Sequence, residues 1–226
     1  MFINMFNIKS SLKIVSLNVS LPKTVEFRGH NVSTGIYKEP IQGKIKLRTL
    51  NLDGDKQADL TVHGGPDKAV YAFSSESYPY WQEQYPDLDM TWGMFGENFT
   101  TEGLFEDQAN IGDEYQVGTT KLAVTQPRMP CFKLGIRFGK GDVIKKFFAH
   151  QKSGIYFKVL EEGEVEAGDE IKMIRRDENN VTVQDVMRTY GEEKDHIDLI
   201  KRAIKIDALP EGWRSHYQEI LSSKNG

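Results

Sequence analysis

The densest chemistry lies in Gln126-Pro127-Arg128-Met129-Pro130-Cys131-Phe132-Lys133. Cys131 is the single cysteine of a 226-residue chain. Arg128 and Lys133 put positive charge on either side of it, which favours a thiolate, and a thiolate is a soft ligand suited to a soft metal. Pro127 and Pro130 fix the backbone around Arg128, so the segment is stiff. A rigid loop around a buried cysteine acting as a small hydrophobe would read the same way. The segment alone leaves both readings open.

Three other segments carry polar groups at suggestive spacing. In Asp59-Leu60-Thr61-Val62-His63-Gly64-Gly65-Pro66-Asp67-Lys68, two glycines let backbone amides approach an anion, and His63 and Lys68 add side-chain donors. The same glycines also suit a plain turn leading into a strand. In Gly93-Met94-Phe95-Gly96-Glu97-Asn98-Phe99-Thr100, Asn98 offers donors and acceptors apt for a polar heterocycle edge. The commoner fate of a loop Asn is to bond neighbouring backbone. In Thr34-Gly35-Ile36-Tyr37-Lys38, Lys38 is a cation that is usually solvated.

Composition bounds what these segments can serve. Hydrophobic residues make up 38% and charged residues 27%, enough for one sizeable core or a core with a small appendage. With 29 basic against 33 acidic residues, the net charge of -4 gives no basic field for nucleic acid. A single cysteine excludes an intramolecular disulfide and a four-cysteine zinc or iron–sulfur site, and it suits a reducing cytoplasm. Met1 to Ile8 is apolar but lacks a basic leader and a small-residue cleavage site, so no signal peptide is expected. No uncharged stretch is long enough to span a bilayer.

The elements that must position these segments are mostly strands. Alternation and β-rich runs predict strands over Lys13 to Val19, Lys44 to Leu50, Ala69 to Phe73, Lys121 to Thr125, Ser153 to Leu160 and Glu170 to Arg176. The Gly-Asp pairs at Gly112-Asp113 and Gly168-Asp169 read as hairpin-type turns. Ser74-Ser75-Glu76 is expected to cap a helix through Gln84, with Pro79 in its first turn, and Asp142 to cap one through His150. After the polar cluster Asp177-Glu178-Asn179-Asn180 the pattern becomes helical. Thr182 caps a first short helix, Ile197, Ile200 and Ile204 mark a second, and Trp213 to Leu221 forms a third. The predicted organisation is an N-terminal extension over 1–12, a mainly β barrel-like domain over 13–176, and a small three-helix domain over 177–226.

Taken in order, His-Gly-Gly with Asp-Lys-Ala-Val-Tyr, Gly-Glu-Asn-Phe-Thr, Gln-Pro-Arg-Met-Pro-Cys-Phe-Lys-Leu, and Ser153 to Gly163 resemble the MOSC domain, named for the C-terminal part of molybdenum-cofactor sulfurase. The helical tail from Val181-Thr182-Val183-Gln184 resembles that of the YiiM-type branch. The resemblance runs from Lys13 onward.

It implies a strand-rich, barrel-like fold that binds molybdenum cofactor and reduces N-hydroxylated substrates, among them base analogues such as 6-hydroxylaminopurine. The pterin brings two dithiolene sulfurs, so Cys131 suffices as the protein's metal ligand. Lys38, Lys68, Arg128 and Lys133, with amides near Gly64-Gly65, are expected to bind the pterin phosphate. Asn98 and Gln126 would read ring edges, and His63 would donate a proton. The partner expected is an unidentified electron-donor protein, and the sequence, which shows no Gly-x-Gly-x-x-Gly fingerprint, does not give the donor. Homodimerisation is left open. Pyridoxal phosphate is not expected, because the aminotransferase-like domain of the larger sulfurases is absent. A non-catalytic cofactor or sulfur carrier is the alternative, and a Cys131–His63 hydrolase is a third reading.

Overall fold

The computed structural model describes residues 12–58, 64–190 and 196–223. Nearly all of the expected N-terminal extension and His63 lie outside these residues. The strands are β1 (Lys13–Val19), β2 (Lys23–Phe27), β3 (His30–Thr34), β4 (Glu39–Ile41), β5 (Ile45–Leu47), β6 (Val70–Ser74), β7 (Phe99–Glu102), β8 (Glu114–Val117), β9 (Thr120–Pro127), β10 (Ile155–Glu161), β11 (Gly163–Val165) and β12 (Ile171–Arg175). The helices are α1 (Tyr78–Gln84), α2 (Phe132–Phe138), α3 (Val143–His150), α4 (Val183–Thr189), α5 (Ile197–Ala203) and α6 (Glu211–Ser223).

Eight strands form one sheet in the order β12-β8-β9-β10-β6-β7-β1-β4, antiparallel except for the parallel β6–β7 pair. The sheet curls back on itself. The Ile14 amide donates to the Asp169 carbonyl (2.9 Å), the Gly168 amide to the Ile14 carbonyl (2.8 Å) and the Ile171 amide to the Leu12 carbonyl (2.7 Å). The start of β1 is thus tied to the start of β12, so the two regions of the sheet meet and part of its edge is covered.

Strand alternation divides the apolar residues between two cores. On β6, Val70 and Ala72 join an inner cluster with Leu17, Phe99, Leu122 and Phe157. Tyr71 and Phe73 point the other way, into an aromatic cluster with Trp81, Phe95, Phe138 and Phe147 beneath α1 to α3. All five residues of β6 are buried, as a strand covered on both faces requires. The three C-terminal helices are continuous with the inner cluster through Val183, Val186, Ile200 and Tyr217.

Several local expectations change. Gly112-Asp113 and Gly168-Asp169 are turns but close no hairpin: β11 pairs with β5 rather than β12, and the hairpin turn before β9 is Gly118-Thr119. The Lys44 to Leu50 strand shrinks to β5. Ser74 and Ser75 hydroxyls bond Glu76 (2.6 and 3.2 Å) and cap nothing, and a 3₁₀ turn over Ser75–Ser77 precedes α1. Asp142 precedes α3 but gives its carboxylate to Tyr85 and Lys146 instead of the helix amides. Thr182 does cap α4, in a reciprocal capping box with Asp185. The β2–β3 hairpin and α2 have no counterpart in the sequence reading.

Candidate functional site

β9 ends at Pro127 and α2 begins at Phe132, so Arg128 to Cys131 is a short link between a central strand and a helix. Cys131 stands at the N-cap position of α2 in extended conformation (φ -125°, ψ 170°), half-buried. It lines a cleft of about 580 Å³, counting space open to solvent, with Lys38, Lys68, Asn98, Arg128 and Lys133. Tyr71 and Tyr156 form part of the same wall, and Lys56 adds a further cation. No carboxylate is among the described residues lining this cleft.

Arg128 is fixed from several sides. It is 7% exposed, its guanidinium lies 4.7 Å from the Tyr71 ring centroid, and Nη1 donates to the Phe95 carbonyl. Burial opposes its charge, but Tyr71, Tyr156 and Cys131 outweigh burial and shift its pKa upward. Gly154 makes room for this arrangement: its φ is +73°, and a Cβ there would stand 2.5 Å from the Ala72 carbonyl oxygen and from the Tyr71 ring.

The cleft floor is a buried polar network. The Lys38 ammonium pairs with Asp55, and Lys38 is 7% and Asp55 2% exposed. Desolvation pushes the Lys38 pKa down, and Asp55 works against that shift. Asp55 also accepts from Asn98 Nδ2 (2.9 Å) and from the Ser20 amide (2.9 Å). Asn98 Oδ1 accepts from the Tyr71 amide (3.2 Å), and the Asn98 backbone bonds Tyr71 and Asn18. Asn98 therefore splices β7 between β6 and β1, and its amide is engaged by protein groups.

The other candidates stand on a second groove. Gly64, Gly65 and Gln126 line it, and Lys68 lines both spaces. Gly65 has φ 94° and ψ 170°, a glycine-only conformation that enters the 3₁₀ turn Pro66–Lys68. Lys68 is half-buried, and desolvation lowers its pKa against the pull of Asp67. Gln126 is 5% exposed, and its Oε1 accepts from Trp213 Nε1 on α6 (3.0 Å). Sequence reasoning missed Lys56, Asp55 and Trp213. Asp55 sits in Asn51-Leu52-Asp53-Gly54-Asp55, which reads as a turn, and the Gln126–Trp213 pair spans 87 positions with no local signal.

Among the described residues no helix is long and apolar enough to cross a membrane. The MOSC domain family model matches residues 59–172. Uncharacterized protein YflK of Bacillus subtilis is 37% identical over 206 residues, covering 91% of this chain and 93% of that protein. A protein named Reductase from Gibberella moniliformis is 29% identical over 181 residues, covering 79% of this chain and 32% of that longer protein. The solved structure of YiiM from Geobacillus stearothermophilus superposes with a TM-score of 0.77 at 33% identity, covering 92% of this chain and 98% of that one. The fold, mixed α/β and mostly sheet, agrees with that likeness, and the chain belongs to the MOSC domain family as a YiiM-like member.

Proposed function

We propose that this chain is a cytoplasmic, molybdenum-dependent reductase of N-hydroxylated compounds, with base analogues such as 6-hydroxylaminopurine as the substrate class. One observation carries the reading: the chain's single thiol opens onto a cleft lined by cations and by no described carboxylate. That donor set fits an anionic cofactor that needs one soft protein ligand. When bound, the cofactor supplies a redox-active metal held by its own dithiolene sulfurs.

The chain's residues would divide the remaining work. Cys131 is the metal ligand. Lys56, Lys68, Arg128 and Lys133 would hold the cofactor's phosphate. Lys38 is neutralised by Asp55 and acts through position, holding the cleft floor together with Asn98. Converting an N–OH to an N–H takes up electrons and protons and releases water, so a donor protein must dock and a proton must be delivered. His63 is the proposed proton donor.

The test is metal analysis of protein made in a host that synthesises molybdenum cofactor, followed by turnover of 6-hydroxylaminopurine with a reconstituted donor. Stoichiometric molybdenum with adenine as product is the expected result. Bound molybdenum without turnover of any N-hydroxylated compound would leave a carrier instead.

A further inference from the structure

The second groove, about 1150 Å³ including open space, lies between the Gly64–Lys68 turn and the C-terminal helices. Its lining differs in kind from the Cys131 cleft. Trp213, Tyr190 and His216 contribute ring surface, and among the described lining residues Asp67 and Glu211 accompany Lys68. Mixed charge with ring surface suits a flat, uncharged ligand better than a phosphate. Lys68 belongs to both walls. Along the end of β9 and the link after it, Gln126 and Met129 line the groove while Arg128 and Cys131 line the cleft, so the two spaces share a partition.

Gln126 supplies the independent sign of a ligand. Trp213 Nε1 donates to its Oε1, which fixes the amide orientation and leaves Nε2 as the donor end of a side chain that lines the groove. That Nε2 is buried and has no hydrogen-bond partner among the described residues. A buried donor without an acceptor is costly in a folded protein and calls for a partner.

We infer that this groove is the subsite for the heteroaromatic ring of the substrate, with Gln126 Nε2 donating to a ring nitrogen and the ring lying against Trp213. The inference rests on the proposed reductase reading for its ligand class and assigns the C-terminal helices a role in substrate selection. Reaction at the Cys131 side and ring recognition at the Trp213 side are then the two halves of one substrate path, joined at Lys68.

The experiment measures equilibrium binding of adenine, and of its 1-, 3- and 7-deaza isosteres, to the full-length protein by calorimetry. Each isostere replaces one ring acceptor with C–H. One of them is expected to bind at least about tenfold more weakly than adenine, about 1.4 kcal/mol. Gln126→Glu keeps the acceptor for Trp213 and deletes the donor, and it should abolish that isostere discrimination with molybdenum content unchanged. Equal binding of all isosteres to the wild-type protein, or undiminished discrimination in a folded Gln126→Glu protein, overturns the assignment. Adenine binding with the expected isostere penalty in protein that never takes up molybdenum would sink the reductase reading and keep the subsite.

Discussion

The Cys131 cleft and the Trp213 groove share Lys68 and one strand end, yet they are built by opposite means. The cleft is prepared within the sheet, from β6, the start of β7, the end of β9 and a buried ion pair. Arg128 is held there by the Tyr71 ring and the Phe95 carbonyl, and Lys38 by the Asp55 carboxylate. The groove is assembled between sheet and tail, and the Trp213–Gln126 side-chain bond, across 87 positions, joins its two sides. A pre-organised cationic wall suits a permanent anionic group, and a wall made by a short helical tail suits a ligand that comes and goes.

The comparison breaks most visibly at Cys131. Cys131→Ala is expected to lower reduction of 6-hydroxylaminopurine by more than about 100-fold, beyond the loss typical of an outer-shell partner. Stability should fall by only about 1 kcal/mol, because one half-exposed sulfur is removed. Steady-state turnover beside a thermal melt checks both. A collapse of the melt would favour a structural cysteine.

Asp55→Asn sharpens the claim that the cleft floor is pre-organised. It leaves the Lys38 ammonium buried without its counter-charge, a loss of about 3–5 kcal/mol. The folded-state pKa of Lys38 is already depressed by burial. The unfolded chain therefore binds more protons below the ordinary lysine value, so stability rises with pH across that window. Urea melts of the variant should show a deficit that shrinks between neutral and strongly basic pH. A deficit independent of pH would mean that Lys38 is not the cause.

Two smaller substitutions separate the regions. Thr182→Ala removes the capping box of α4 and should cost about 1 kcal/mol of stability, read from the melt, with molybdenum content intact. Lys133→Gln in the cleft should weaken cofactor retention roughly fivefold, about 1 kcal/mol. Glu211→Gln on the groove should leave that retention unchanged. Dialysis followed by metal analysis distinguishes them, and equal losses would erase the distinction between cleft and groove.

The parts of the site legible in the sequence were those carried by local chemistry. Pro127 and Pro130 around Arg128 marked a stiff link, and that link places Arg128 and Cys131 in one cleft with Lys38, Lys68, Asn98 and Lys133. β1, β9, β10 and the Thr182 cap followed from alternation and capping chemistry. Hidden features depend on distant partners. Nothing near Asn98 says that its amide ends on Asp55 and Tyr71, and nothing near Gln126 points to Trp213. The Gly-Asp turns misled because a positive-φ glycine marks a change of direction but not which strand comes next. His63 lies outside the described residues, so its place relative to Cys131 stands as a proposal.

The central claim is that Cys131 supplies the protein's ligand to molybdenum. X-ray absorption at the molybdenum edge, on wild-type and Cys131→Ser protein from a host that makes the cofactor, tests it most directly. The account predicts that the serine variant either loses its metal or shows one sulfur neighbour replaced by oxygen. An unchanged molybdenum content with an unchanged sulfur shell in Cys131→Ser would contradict it.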